Sequence, residues 1–137
     1  MSNLIASGAI LYKVFRTVRG ANAGQSVLAT QNPQNYDLTA GAEVKAQLPG
    51  TPVMVFLTYE DAKAFGDKHR PNEYTVKAVL AWGDVLVTSD VLKLKQGWRD
   101  YAADFWTRVK ANLSTRAYAT ENASPGTAAV FGIVKIA

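Results

Sequence analysis

The sequence predicts an α+β fold: a single domain, spanning residues 1–137, with a mixed, mostly antiparallel sheet and two helices. Two segments, at about 60–69 and 98–113, have apolar residues at helical spacing. Between and around them, short apolar runs alternate with links of hairpin length, which favours α+β over a parallel α/β arrangement. The chain has 137 residues, of which 48% are hydrophobic and 19% charged, a composition that supports a packed core.

Four segments have the composition of strands. The first is rich in β-branched and aromatic residues, the second is a short apolar run, the third alternates cleanly, and the last is too apolar for an open sheet edge. In the third, the large apolar residues from Tyr74 to Trp82 share one face, and Gly83-Asp84 predicts a turn after it. The four segments are 10–19, 53–57, 74–82 and 128–136.

The two predicted helices carry different signals. Residues 60–69 follow Thr58, whose hydroxyl is placed to cap the helix, and Pro71 ends it. Residues 98–113 form an amphipathic helix, which we expect to pack on a face of the sheet. Its apolar stripe consists of Trp98, Tyr101, Ala102, Phe105, Val109 and Leu113.

Residues 20–52 are punctuated by glycine, asparagine and proline. More than thirty residues without a long element are unusual in a compact domain, and such loops often carry function. We therefore predict a loop-rich contact arm in which Asn32, Asn35 and Tyr36 bind a partner. Trp106 lies off the helical stripe, so it is predicted either to join this partner surface or to make a second core contact.

Several kinds of chemistry are excluded by composition. The chain has no cysteine, which rules out disulfides, thiolate metal sites and cysteine nucleophiles. Its one histidine, His69, lies at a predicted helix end, where a positive side chain stabilises the helix dipole. No acidic cluster has the spacing of a metal site, so no metal is predicted. No apolar run is long enough to span a membrane, and no basic segment precedes the N-terminal apolar stretch, so we expect no signal peptide.

Fifteen lysine and arginine residues against eleven acidic ones give a net charge of +4. This balance leaves nucleic-acid binding open as an alternative function. The basic residues are scattered along the chain, which is more typical of a solvated surface.

Arg16 lies within the first predicted strand among apolar neighbours. An arginine in that setting is costly unless its guanidinium is paired. The partner of the guanidinium is either a carboxylate from another element, which would make the pair structural, or an anionic ligand in a cleft. Both interpretations remain open from the sequence.

Three segments together resemble a known family. Leu11-Tyr-Lys-Val-Phe-Arg16, Val53-Met-Val-Phe-Leu-Thr58 with the helix that follows, and Tyr74-Thr-Val-Lys-Ala-Val79 are similar to the small ADP-ribosyltransferase-like fold, which includes short accessory proteins of tailed bacteriophages. The resemblance implies that Arg16 and Thr58 would hold NAD and that Glu121 would support transfer. The paired Glu-x-Glu or Gln-x-Glu of the enzymes does not occur.

These observations lead to one expected function and two alternatives. We expect a non-enzymatic interaction protein without a cofactor, encoded by a phage, that acts as a virion component or inhibits a host factor. Its partner would be another protein, self-association included, in the host cytoplasm or the virion and not at a membrane. The alternatives are an ADP-ribosyltransferase-like enzyme using NAD and a nucleic-acid-binding accessory protein.

Overall fold

Eight strands and two helices are found in the computed structural model, which describes residues 2–18, 22–27, 35–46, 50–87, 90–92, 98–111 and 120–137. In chain order the elements are β1 (Ser2–Thr17), β2 (Ala23–Ser26), β3 (Tyr36–Asp37), β4 (Val53–Phe56), α1 (Tyr59–His69), β5 (Tyr74–Val87), β6 (Asp90–Leu92), α2 (Trp98–Lys110), β7 (Thr120–Asn122) and β8 (Thr127–Ile136).

The main sheet closes into a small barrel. Its strands follow the order β1, β4, β8, β5, and β5 pairs again with β1. The predicted α+β class is confirmed, but every strand pair in the described residues is antiparallel, so the parallel component of the expected mixed sheet is not found there. The interior is filled mainly by valine and alanine, together with a few larger side chains such as Phe15 and Tyr36.

Strand β1 is longer than the sequence predicted. It begins at Ser2, and it pairs with β5 from Ser2 opposite Val87 to Arg16 opposite Tyr74. The register shifts once, at a bulge around Gly8, whose φ of 75° is one that glycine adopts without strain. This bulge separates an N-terminal half, which among the described residues pairs with β5 alone, from a C-terminal half that also meets β4 and β2.

The turn predicted at Gly83-Asp84 is wrong, because β5 continues through both residues. Gly83 has a φ of 115°, and a Cβ added there would lie 2.6 Å from the carbonyl oxygen of Phe131. Its partner across the ladder is Gly132, where an added Cβ would collide with the Trp82 carbonyl. The two glycines therefore mark a close approach of two backbones, where β5 bends without ending.

The described parts of residues 20–52 pack against the barrel. β2 pairs with β1, and β3 with β2. Farther along, the N–H groups of Gly41 and Val44 each donate to a carbonyl of β8 over 2.7 Å. Tyr36, Leu38 and Val44 are buried in the barrel cluster. These described residues of the predicted arm therefore pack on the barrel and extend its wall.

Helix α1 is capped as predicted. The Thr58 hydroxyl accepts from the Asp61 N–H over 3.2 Å and donates to the Asp61 carboxylate over 2.9 Å. Acidic residues in the first turn complement the helix dipole. The helix ends at His69, one residue before Arg70 and two before Pro71. It packs on the outer face of the barrel over Val14 and Phe56.

Replacing Thr58 by alanine is expected to lower the free energy of unfolding by about 1 kcal/mol, since the cap is lost and the Asp61 N–H loses its acceptor. Urea unfolding followed by far-UV circular dichroism measures the change. Thr58→Ser is the matched control, because serine keeps the hydroxyl. Equal losses in both variants would show that the hydroxyl does not provide the stabilisation.

Helix α2 covers another part of the outer surface. Phe105, Trp106 and Val109 pack on Leu86 of β5 and Ala129 of β8, as expected for the longer helix. The prediction extended this helix to Leu113; the observed helix ends at Lys110, and 112–113 lie outside the described residues. Within the described part of the chain, no helix is long and apolar enough to cross a membrane.

Candidate interaction surface

A strip of apolar side chains is exposed on the outer face of the barrel. Ile10 of β1 lies opposite Leu80 of β5, and Trp82 of β5 lies opposite Ile133 of β8. Because directly paired residues of antiparallel strands share a face, all four side chains point outward together. Ile10 is 60% exposed, Ile133 48% and Trp82 36%. We call these four residues the bare face.

The bare face lies between the two areas that the helices cover. On β5, Val76 lies beneath α1 and Leu86 lies beneath α2. Leu80 and Trp82 fall between them on the same strand. The outward positions of β5 are therefore apolar along most of its length, but its two ends are covered and its middle is exposed.

Trp82 is held in place by its neighbours. A Cβ added at Gly8 would lie 3.6 Å from the Trp82 indole nitrogen, so the ring occupies the space that the bulge glycine leaves open. The Lys135 ammonium lies 6.0 Å from the ring centroid on the other side. Beyond the bare face, Asp84 and Lys110 form an ion pair of 3.1 Å. The surface therefore has an apolar centre with charged groups at its border, as protein interfaces do.

The sequence did not single out the bare face, although its residues were visible in the alternation of 74–82. From the sequence, Leu80 and Trp82 lie on the apolar face of this strand, and that face was not assigned to the core or to the surface. In the structure the opposite side, with Val79 and Ala81, faces the barrel interior. Leu80 and Trp82 therefore lie on the outer face.

The partner-binding residues predicted from the sequence have different environments. Trp106 is 4% exposed and lies edge-on to Phe105 with the ring centroids 5.2 Å apart. Of the two alternatives left open for Trp106, the structure shows the core contact and not the exposed ring. Tyr36 is also buried, with its ring 5.6 Å from that of Phe15. Asn35 is exposed, and its side-chain oxygen accepts from Gln25 over 2.8 Å.

The remaining residue of that set, Asn32, lies outside the described residues. The core position of Trp106, off the predicted stripe, has a simple cause. Phe105, Trp106 and Val109 are all buried, so the buried stripe of α2 includes adjacent positions and is wider than the narrow spacing used to predict it.

The two NAD-binding positions implied by the resemblance lie at opposite ends of α1. At its start, next to Thr58, the Tyr59 ring lies 6.0 Å from the Tyr12 ring. Its last turns contact Tyr74, which lies opposite Arg16. A helix of 11 residues is about 16 Å long. The structure therefore does not bring Arg16 and Thr58 together, and the Thr58 hydroxyl is already used by the cap.

The backbone of Glu121 lies in β7, opposite Val91 of β6, in a separate two-stranded sheet; its side chain lies outside the described residues. Among the described residues, no carboxylate forms an ion pair with Arg16, so the structural pair considered for it is not found there. No group of three or more potential metal ligands occurs in the described part of the chain.

Lys13 is a residue that the sequence analysis missed. It lies on the inner side of β1 between Leu11 and Phe15 and is only 9% exposed. Its ammonium donates to the Met54 carbonyl over 2.9 Å and lies 5.6 Å from the Phe15 ring centroid. Burial lowers its pKa from 10.5 to about 8. No described carboxylate forms an ion pair with Lys13, so among the described groups its charge is compensated only by the Met54 carbonyl and the Phe15 ring.

Comparison with known proteins adds no relationship to these features. No family model matches the sequence, and neither a curated protein nor a solved structure matches the chain significantly. The function must therefore be inferred from the geometry of the chain itself, in which the bare face is the most distinctive surface.

Proposed function

We propose that the chain is a non-enzymatic interaction protein that binds another protein through the bare face. The observation that supports this is the joint exposure of Ile10, Trp82 and Ile133 on three adjacent strands. Single exposed apolar residues are common, but a contiguous group with a polar border is typical of an interaction site. Trp82 is the expected centre of binding, because partly exposed tryptophans with fixed rings contribute strongly to protein interfaces.

Within this proposal the chain is encoded by a phage and acts as a virion component or as an inhibitor of a host factor. This part is supported only by the resemblance of 11–16, 53–65 and 74–79 to accessory proteins of tailed bacteriophages. Both roles require a stable surface that binds one protein, and neither requires a catalytic centre.

Nucleic-acid binding is the weaker alternative for this surface. The exposed side chains are mainly aliphatic, whereas sites for single strands combine several stacking aromatics with a basic groove. The bare face has one aromatic residue, Trp82, and one cation, Lys135, lies beside its ring. Affinity for an oligonucleotide that fell steeply with added salt would favour this alternative.

The second alternative is an ADP-ribosyltransferase-like enzyme. Calorimetric binding of NAD that disappeared in Arg16→Ala would favour it.

Site-specific crosslinking tests the proposal directly. A photoreactive amino acid in place of Ile133 is expected to give one discrete adduct in extracts of the cells in which the chain is naturally made. The adduct should be lost in Ile10→Lys, because the lysine ammonium would have to be desolvated at the centre of the contact. Ile10 is exposed, so we expect this variant to fold normally.

The matched controls use Ala64, which is exposed on α1. The photoreactive residue at position 64 should give no such adduct, and Ala64→Lys should leave the adduct at 133 unchanged. Absence of an adduct at 133, or the same adduct from both positions, would refute binding through the bare face.

A further inference from the structure

The N-terminal half of β1 is an open sheet edge in the described part of the chain. Residues 2–9 pair with β5 on one side. On the other side of β1, β4 makes its contact at Tyr12 and β2 at Phe15 and beyond, so both lie past the bulge at Gly8. In an antiparallel ladder alternate residues direct their N–H and C=O groups to opposite sides. About half of the backbone groups in this segment therefore point away from β5 with no strand among the described residues to receive them.

Apart from the bulge at Gly8, this edge lacks the charged residues and proline that usually prevent strands from pairing. Edge strands of monomeric proteins commonly carry lysine, proline or inward-pointing charges. Residues 2–12 contain no charged residue and no proline. Leu4 is 51% exposed and Ile5 is 84% exposed, and adjacent residues of a strand point to opposite faces. Each face of the edge strand thus exposes one large apolar side chain.

We propose that this edge pairs with the same edge of a second copy, so that two chains form an antiparallel, two-fold symmetric dimer with one continuous sheet. A two-fold axis lets each chain donate to and accept from the other with identical residues, and it closes the assembly at two subunits. The segment fits itself, because it brings no charge that would repel its copy and offers apolar side chains on both faces. The added ladder satisfies the outward backbone groups.

The dimer uses the backbone edge of β1 and not the bare face itself, although Ile5, opposite Asp84, lies on the same outer face as Trp82. Either proposal can fail alone. Pairing at β1 would place the two bare faces on one extended sheet and leave them exposed. A partner protein could then contact both chains at once, which strengthens binding without a new type of contact.

Sedimentation equilibrium of the purified chain tests this pairing. The wild type is expected to be a dimer in the micromolar range. Ile5→Lys should weaken dimerisation at least about tenfold, because it introduces charges into the paired edge. Ile133→Lys is the matched control: it makes the same change on the bare face and should leave the dimer intact. Since Ile5 is exposed, circular dichroism and thermal unfolding should show Ile5→Lys folded.

Hydrogen exchange gives a second readout on the unmodified protein. Peptides covering 2–9 should exchange more slowly as the concentration rises through the dimerisation range, whereas peptides of α1 should not change. A wild type that stays monomeric to high micromolar concentration overturns the pairing. It is also overturned if Ile5→Lys leaves the dimer intact, and dissociation by Ile133→Lys alone would place the dimer contact on the bare face.

Discussion

Replacing Lys13 by methionine is expected to raise the free energy of unfolding at pH 7 by about 2 kcal/mol. The ammonium is buried and has only the Met54 carbonyl and the Phe15 ring as described partners. Burial lowers the pKa of Lys13 from 10.5 to about 8, which means that folding disfavours its charged form by about 3 kcal/mol. Methionine has a similar shape and no charge, and it gives up one hydrogen bond of about 1 kcal/mol.

The pH dependence identifies the charge as the cause. Between pH 8 and 10.5 the folded protein binds fewer protons at Lys13 than the unfolded chain does. The stability of the wild type therefore rises with pH through this window, and the cost of the charge is fully present below it. Urea unfolding from pH 7 to 10.5 should show the difference between Lys13→Met and wild type shrinking as the pH rises.

Lys45→Met is the control for the Lys13 experiment, because the Lys45 side chain is exposed. Its effect should stay within about 0.5 kcal/mol at every pH, as for other surface substitutions. If Lys13→Met is less stable than the wild type at pH 7, the charge of Lys13 is compensated in the folded state and its burial is not a cost.

Replacing Trp106 by alanine is expected to lower the free energy of unfolding by about 3–5 kcal/mol, the usual cost of removing a large aromatic from a core. The ring packs against Phe105 and Phe131, with centroid distances of 5.2 and 6.3 Å. A loss of this size is a large part of the stability of a typical domain. Trp106→Phe keeps an aromatic ring and should retain enough stability for measurement.

The same substitution at Trp82 provides a direct comparison. Trp82 lies on the bare face and is much more exposed than Trp106, so Trp82→Ala should cost less than about 1 kcal/mol. Far-UV circular dichroism is the suitable probe, because both variants alter the tryptophan fluorescence. Similar losses in the two alanine variants would contradict the assignment of one ring to the core and the other to the surface.

Local patterns predicted the two helices and four of the eight described strands, β1, β4, β5 and β8, because the signals for these elements lie within a few neighbouring residues. The cap at Thr58 is an example: one hydroxyl and the N–H three residues later define it. The start of β1 was missed because its N-terminal half owes its structure to β5, more than seventy residues away in sequence. The bend at Gly83 was interpreted as a turn, since the approach of Gly132 that keeps the strand continuous is also a distant contact.

The candidate surface depended on closure of the sheet, which the sequence did not reveal. In an open sheet the face with Leu80 and Trp82 would be the natural core. In the closed barrel the opposite face of the strand, with Val79 and Ala81, points inward and joins the core cluster. Lys13 was missed for the same reason: its side of β1 becomes the interior only when the barrel closes.

The pairing of β1 with β5 also affects how the protein is made. Synthesis proceeds from the N-terminus, so Ser2 emerges from the ribosome long before Val87, the residue opposite it. Until then the uncharged segment 2–12 has no ladder partner on β5 and can associate with nascent chains or other proteins. We therefore expect the protein to fold in milliseconds to seconds, as do other barrels dominated by distant contacts. We also expect the yield of soluble protein to depend on chaperones that shield this first strand.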